Sequence, residues 1–208
     1  HTGKTVLAQR MLEKYKFSYL SIDHLKMGLI RSGNTKLTTQ DDDQLTPYLW
    51  PIVREMIKTA IENRQNIIVE GCYIPFDWRK DFDQEYLQDI NFICLALTDA
   101  YIDAHFAEIR EHASDIEARL DDSDCTVDWI KEENRRVIQG FEAVGEFVDL
   151  IDSDYQSVVE NALFLIPDNI KKLIAGKKYT IDDMGKSGSS ILIFDDCVLK
   201  ILDSRLHN

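Results

Sequence analysis

His1-Thr2-Gly3-Lys4-Thr5 opens the chain, and the reading of the fold turns on these five residues. They are the second half of the pattern Gly-x-x-x-x-Gly-Lys-Ser/Thr. In that pattern glycine lets backbone N–H groups wrap a phosphate, the lysine reaches the β and γ phosphates, and the hydroxyl binds Mg²⁺. The loop must open a helix, whose N-terminus adds partial positive charge. Thr5 to Tyr15 supplies one, with Ala8, Met11, Leu12 and Tyr15 on a single face. Half a motif read by itself would be weak; the helix behind it and the acidic residues below give it weight.

Downstream, helix-like and strand-like stretches alternate. Phe17 to Ile22 reads as a buried strand ending at Asp23. Thr46 and Pro47 read as a helix start, a capping hydroxyl followed by proline in the first turn. Leu49, Ile52, Val53, Met56, Ile57, Ala60 and Ile61 continue it as an apolar stripe. Asn66 to Val69 is a short apolar strand ending at Glu70 and Gly71. Ile90 to Leu97 is another, Phe147 to Ile151 a further one, and Ser153 to Leu165 a helix. Apolar runs of this kind suit a parallel sheet covered on both faces, and the alternation means α/β.

Asp23 and Glu70 each follow directly on an apolar strand. Ligands of open parallel sheets sit beyond the carboxyl ends of the strands. Two acids there can serve a magnesium shell and accept a proton from an attacking hydroxyl. A purely structural reading has Asp23 capping a helix that begins near His24; capping and function are compatible.

Composition bounds the rest. The chain has 208 residues, 44% hydrophobic and 29% charged, the profile of a globular protein. Its 37 acidic against 24 basic residues give a formal net charge of -13, which argues against a nucleic-acid or membrane-surface partner. A nucleotide remains compatible, since a few aimed cations beside a metal suffice. Cys72, Cys94, Cys125 and Cys197 show no metal-ligand spacing; Cys72 and Cys94 read as buried thiols, and a reducing cytoplasm is expected. No apolar run reaches the length of a membrane span. His105 and His112 lack a third ligand for a metal. Asp41, Asp42 and Asp43 read as a helix lead-in or solvated loop, and Trp50, Trp78 and Trp129 as packing residues.

Taken together, His1–Thr5, the run Tyr19-Leu20-Ser21-Ile22-Asp23-His24-Leu25 and the run Ile67-Ile68-Val69-Glu70-Gly71 resemble small P-loop kinases: nucleoside monophosphate kinases, zeta-toxin-like kinases and 2-phosphoglycerate-kinase-like proteins. The resemblance covers roughly residues 1–165. It implies a P-loop fold with a five-stranded parallel sheet flanked by helices and an arginine-bearing lid, with ATP and Mg²⁺ as cofactors. It implies transfer of the γ-phosphoryl group to a hydroxyl or phosphate of a small molecule. Thr2, Gly3, Lys4 and Thr5 would hold the nucleotide, and Thr5 and Glu70 the metal. Asp23 would be the acid near the acceptor hydroxyl, with Lys26 and Arg31 as acceptor contacts.

The lid would occupy residues 99–140. There Arg135 and Arg136, on a helix-like run from Val127 to Phe141, resemble a catalytic arginine pair, and Arg110 and Arg119 would be further nucleotide contacts. A solvated face laced with Glu–Arg pairs is the structural alternative. In the resemblance the strand feeding the phosphate loop is the middle one. The expectation is therefore a chain short of that strand, by roughly ten residues, with a slot between the strands ending at Glu70 and at Leu97.

The tail differs. Residues 166–178 read as a linker. Gly185-Lys186-Ser187-Gly188-Ser189-Ser190, the run Ile191 to Phe194, a turn at Asp195-Asp196 and Cys197-Val198-Leu199-Lys200-Ile201 resemble the opening hairpin of aminoglycoside-phosphotransferase and choline-kinase-like domains. In that family a lysine like Lys200 contacts ATP phosphates. Residues 179–208 would then begin a second, incomplete kinase-like domain. A nucleotide-binding regulatory module without an acceptor is the competing functional class.

Overall fold

A computed structural model of the chain describes residues 2–112 and 125–163 in full. It also gives the backbone of three further strands, Thr180–Asp182, Ser190–Ile193 and Val198–Ile201. The chain divides into two compact units, His1–Ser153 and Asp154–Asn208. The class is mixed α/β with small parallel sheets.

In the first unit, helix α1 (Lys4–Tyr15) is followed by β1 (Ser18–Ser21), α2 (Ile22–Arg31), α3 (Asp42–Glu62) and β2 (Ile67–Glu70). A short 3₁₀ turn at Trp78–Asp81 leads to α4 (Gln84–Leu87), β3 (Leu95–Leu97), α5 (Asp99–Glu111), α6 (Val127–Ala143) and β4 (Asp149–Ile151). β1 and β2 pair in parallel with Ser21 opposite Glu70, and β3 and β4 pair in parallel with Leu97 opposite Ile151. Among the described residues no ladder joins β2 to β3. A continuous sheet through the strands ending at Glu70 and Leu97 is therefore not what forms.

One core runs beneath both pairs. Ile22, Leu45, Leu49, Val53 and Ala96 are fully buried in it, with Trp50, Trp78, Phe82 and Phe141 around them. Trp50 joins the core at no polar cost, because its indole N–H donates to Asp81 at 2.7 Å. Gly140 on α6 is a necessity of this packing: a Cβ there would lie 2.5 Å from the Phe76 ring.

The second unit holds α7 (Tyr155–Ala162), capped by the Asp154 carboxylate accepting from Ser157 N–H at 3.0 Å. Strands β5, β6 and β7, the three tail strands above, form an antiparallel meander in that order. The glycine-bearing segment 185–189, the linker 166–178 and the side chain of Lys200 lie outside the described residues, as does Arg119.

Several sequence expectations need correction. α3 begins at Asp42, a turn before Thr46, which puts Pro47 and Pro51 inside the helix. The apolar stripe starts at the fully buried Leu45, and Asp42 and Asp43 complement the helix dipole in the first turn. Of the stretch Ile90 to Leu97, only Leu95–Leu97 is strand; a strand exists where a partner pairs with it, and β4 offers three residues. Ile22 starts α2 rather than ending β1, so Asp23 lies in the first turn of that helix. Trp129 is 49% exposed and so lies outside the buried core, and Cys72 is exposed whereas Cys94 is buried.

Candidate phosphate-loop site

Gly3 precedes α1 in the left-handed conformation, φ 83° and ψ 15°, which costs glycine little and a side chain more. The first-turn N–H groups of Lys4 and Thr5 thereby stand at a helix start. The Lys4 ammonium makes no hydrogen bond or ion pair with any described residue.

At the far side of this loop lies Glu70, 7% exposed at the carboxyl end of β2. Its two oxygens have different partners. The Thr5 hydroxyl donates to Oε2 at 3.4 Å, and the Tyr19 hydroxyl donates to Oε1 at 2.8 Å. A buried carboxylate needs such donors. The fold thus brings together a hydroxyl and an acid 65 positions apart, on the first helix and the second strand.

Asp23 stands beside them because β1 and β2 end together. Ser21 is in register with Glu70, and Asp23 follows two residues later in α2. The close approach requires Gly71, where a Cβ would sit 2.7 Å from Ile22 Cβ. Asp23 Oδ1 accepts from Lys26 Nζ at 2.6 Å, one turn along the helix. Lys26 Nζ also donates to the Tyr73 hydroxyl at 2.9 Å, which in turn donates to Asp42 Oδ1 at 2.8 Å.

Cys72 follows Gly71. Its thiol is exposed but recessed, and loss of solvation pushes its pKa up, with Lys4, Asp23, Lys26 and Asp42 all close enough for their charges to act on it. Loss of solvation likewise raises the Tyr73 phenol, followed by the neighbouring charges and its bond to Asp42, so it stays protonated.

The predicted lid arginines part company. The Arg135 guanidinium donates from Nε to Asp99 at 3.2 Å, and Lys131 pairs with Asp103 at 2.6 Å. Both tie α6 to α5. Arg136 instead lies over the Phe76 ring at 5.7 Å and pairs with Glu133 at 2.7 Å. Its pKa is raised first by Glu133 and further by Cys72 and Asp43, so it is the member of the pair within electrostatic range of the recess. Arg31 is in the last turn of α2, eight residues or about 12 Å of helix from Asp23. Arg110 is an exposed residue in the last turn of α5.

Sequence reasoning missed Tyr19, Tyr73, Asp42 and Asn134. Buried Asn134 on α6 accepts from Leu97 N–H at 2.8 Å and donates to Ile130 C=O at 2.8 Å, fixing α6 on the end of β3. No pattern of spacing announces these pairings; only for Tyr19 was there a local hint, an aromatic on the same face of β1 as Ser21.

Among the described residues no group of three or more His, Cys, Asp and Glu side chains could hold an ion. Thr5 Oγ1 and Glu70 Oε2 are two hard oxygens 3.4 Å apart.

No family model and no curated protein sequence matches the chain.

Proposed function

We propose that the chain binds ATP with Mg²⁺ and transfers the γ-phosphoryl group to a small-molecule acceptor, as a P-loop kinase. One observation carries the reading. The Thr5 hydroxyl at the start of α1 meets the buried Glu70 carboxylate at the end of β2, next to Lys4, whose ammonium pairs with no described residue.

Each residue then has a task. Backbone N–H groups from Thr2 to Thr5 hold phosphate oxygens, and Lys4 supplies charge to the β and γ positions. Thr5 and Glu70 would hold the magnesium ion, which when bound neutralises charge on the phosphates. Asp23 accepts the acceptor's hydroxyl proton; its Oδ2 receives no hydrogen bond from a described residue. Arg136 adds positive charge on the recess side, while Arg135 holds α6 to α5. Arg110 and Arg31 are exposed cations in the last turns of α5 and α2.

The reading is tested by titrating the protein with ATP, with and without Mg²⁺, by calorimetry. Saturable binding strengthened by Mg²⁺ is expected. Absence of ATP binding under both conditions contradicts it.

A further inference from the structure

The acceptor side of the recess is a single hydrogen-bonded row: Asp23, Lys26, Tyr73 and Asp42, joined at 2.6, 2.9 and 2.8 Å. It contains two carboxylates against one ammonium, so its formal charge is -1. The ammonium is committed. Two of the three N–H donors of Lys26 are engaged, and it stands 4.8 Å from the centroid of the Tyr73 ring. Tyr73 contributes no charge, since its hydroxyl donates to Asp42. Of the other cations whose charge reaches this region, Lys4 belongs to the ATP phosphates in the kinase reading, and Arg136 is paired with Glu133.

A phosphomonoester needs uncommitted positive charge. Entering here it would have to take Lys26 from Asp23 and leave that carboxylate unpaired next to Asp42. Hydroxyl and ammonium groups meet the opposite situation. Asp23 Oδ2 and Asp42 Oδ2 receive no hydrogen bond from any described residue, and the third Lys26 N–H is available for a hydroxyl oxygen.

Resting on the kinase reading above, we propose that the acceptor is an unphosphorylated, hydroxyl-bearing small molecule, favoured when it also carries an amine. Its reacting hydroxyl docks on Asp23 and its amine on Asp42. Asp23 takes the hydroxyl proton, the acceptor oxygen bonds to the γ phosphorus, and the bond from that phosphorus to the β-phosphate oxygen breaks, releasing ADP. Asp42 and Tyr73 are thereby positioning and specificity residues.

The test measures ADP formation from Mg–ATP with matched probes: glucosamine and glucose against glucose 6-phosphate, 3-phosphoglycerate and AMP. Expected is a kcat/KM for the unphosphorylated probes at least about tenfold above that for the phosphorylated ones, the discrimination that like-charge juxtaposition provides. Asp42→Asn should raise KM for glucosamine by about tenfold and KM for ATP by less than about twofold. Tyr73→Phe should raise KM for both sugars, since it frees Lys26 and Asp42 to pair differently. Preference for a phosphorylated probe, or no transfer to either sugar while ATP binds, overturns the inference and leaves the nucleotide site standing. Failure to bind ATP overturns the kinase reading itself.

Discussion

Tyr19→Phe removes one oxygen and leaves the ring. In the protein that hydroxyl donates to Glu70 Oε1 at 2.8 Å, and the carboxylate is 7% exposed. The other donor, the Thr5 hydroxyl, is on Oε2 at 3.4 Å and cannot replace it. A hydrogen bond to a charged group contributes about 1.5–3 kcal/mol, and a buried acceptor stripped of its donor loses the full amount. The variant should therefore be destabilised by about 1.5–3 kcal/mol. With a urea m-value of about 2 kcal/mol/M, the unfolding midpoint falls by roughly 0.8–1.5 M. Tryptophan fluorescence is the assay, because Trp50, Trp78 and Trp129 all belong to the unit His1–Ser153 that contains the bond. A midpoint shift below roughly 0.2 M would refute the claim that Tyr19 satisfies a buried, charged Glu70.

Asn134→Ala should cost about 1–3 kcal/mol in the same assay, because it leaves the Leu97 N–H without its acceptor in a buried place; a change within about 0.5 kcal/mol contradicts this. The Cys72 thiol, raised by loss of solvation, holds less thiolate at any given pH than a free cysteine, whose pKa is about 8.5. Its iodoacetamide labelling, followed by peptide mass spectrometry, should accelerate only at higher pH than that of free cysteine, and an equal or lower midpoint contradicts the recessed placement.

What the sequence disclosed was local. The helix behind Gly3-Lys4-Thr5 follows from a stripe spaced at three and four residues, and α1 forms where that stripe lies. Short apolar runs ended by an acid made the two strands β1 and β2 readable, with Glu70 at the end of β2 and Asp23 two residues past the end of β1, inside α2. Boundaries failed where two signals competed. Proline at position 47 read as a first turn, but the buried Leu45 extends the helix upstream, and a helix of 21 residues tolerates the lost N–H bonds when its face is packed. Ile90 to Cys94 is as apolar as a strand, yet Phe92 goes to the aromatic cluster with Trp78 and Phe141.

The partners within the candidate site were not readable, because each is distant in the chain. Tyr19 and Glu70 are 51 positions apart, Lys26 and Tyr73 are 47, and Tyr73 and Asp42 are 31. Nor does the sequence separate Arg135 from Arg136. Adjacent residues on a helix point about 100° apart, and only the position of α5 sends the first to Asp99 and leaves the second over Phe76.

The central claim is that Lys4 and its loop hold a triphosphate, and Lys4→Ala tests it most directly. Lys4 makes no hydrogen bond or ion pair with the described residues, so its truncation should leave the unfolding midpoint within about 0.5 kcal/mol of the original. Calorimetric affinity for Mg–ATP should fall at least about tenfold in this variant, the loss of a charged contact to phosphate. Equal affinity in the two proteins, with the fold intact, would contradict it.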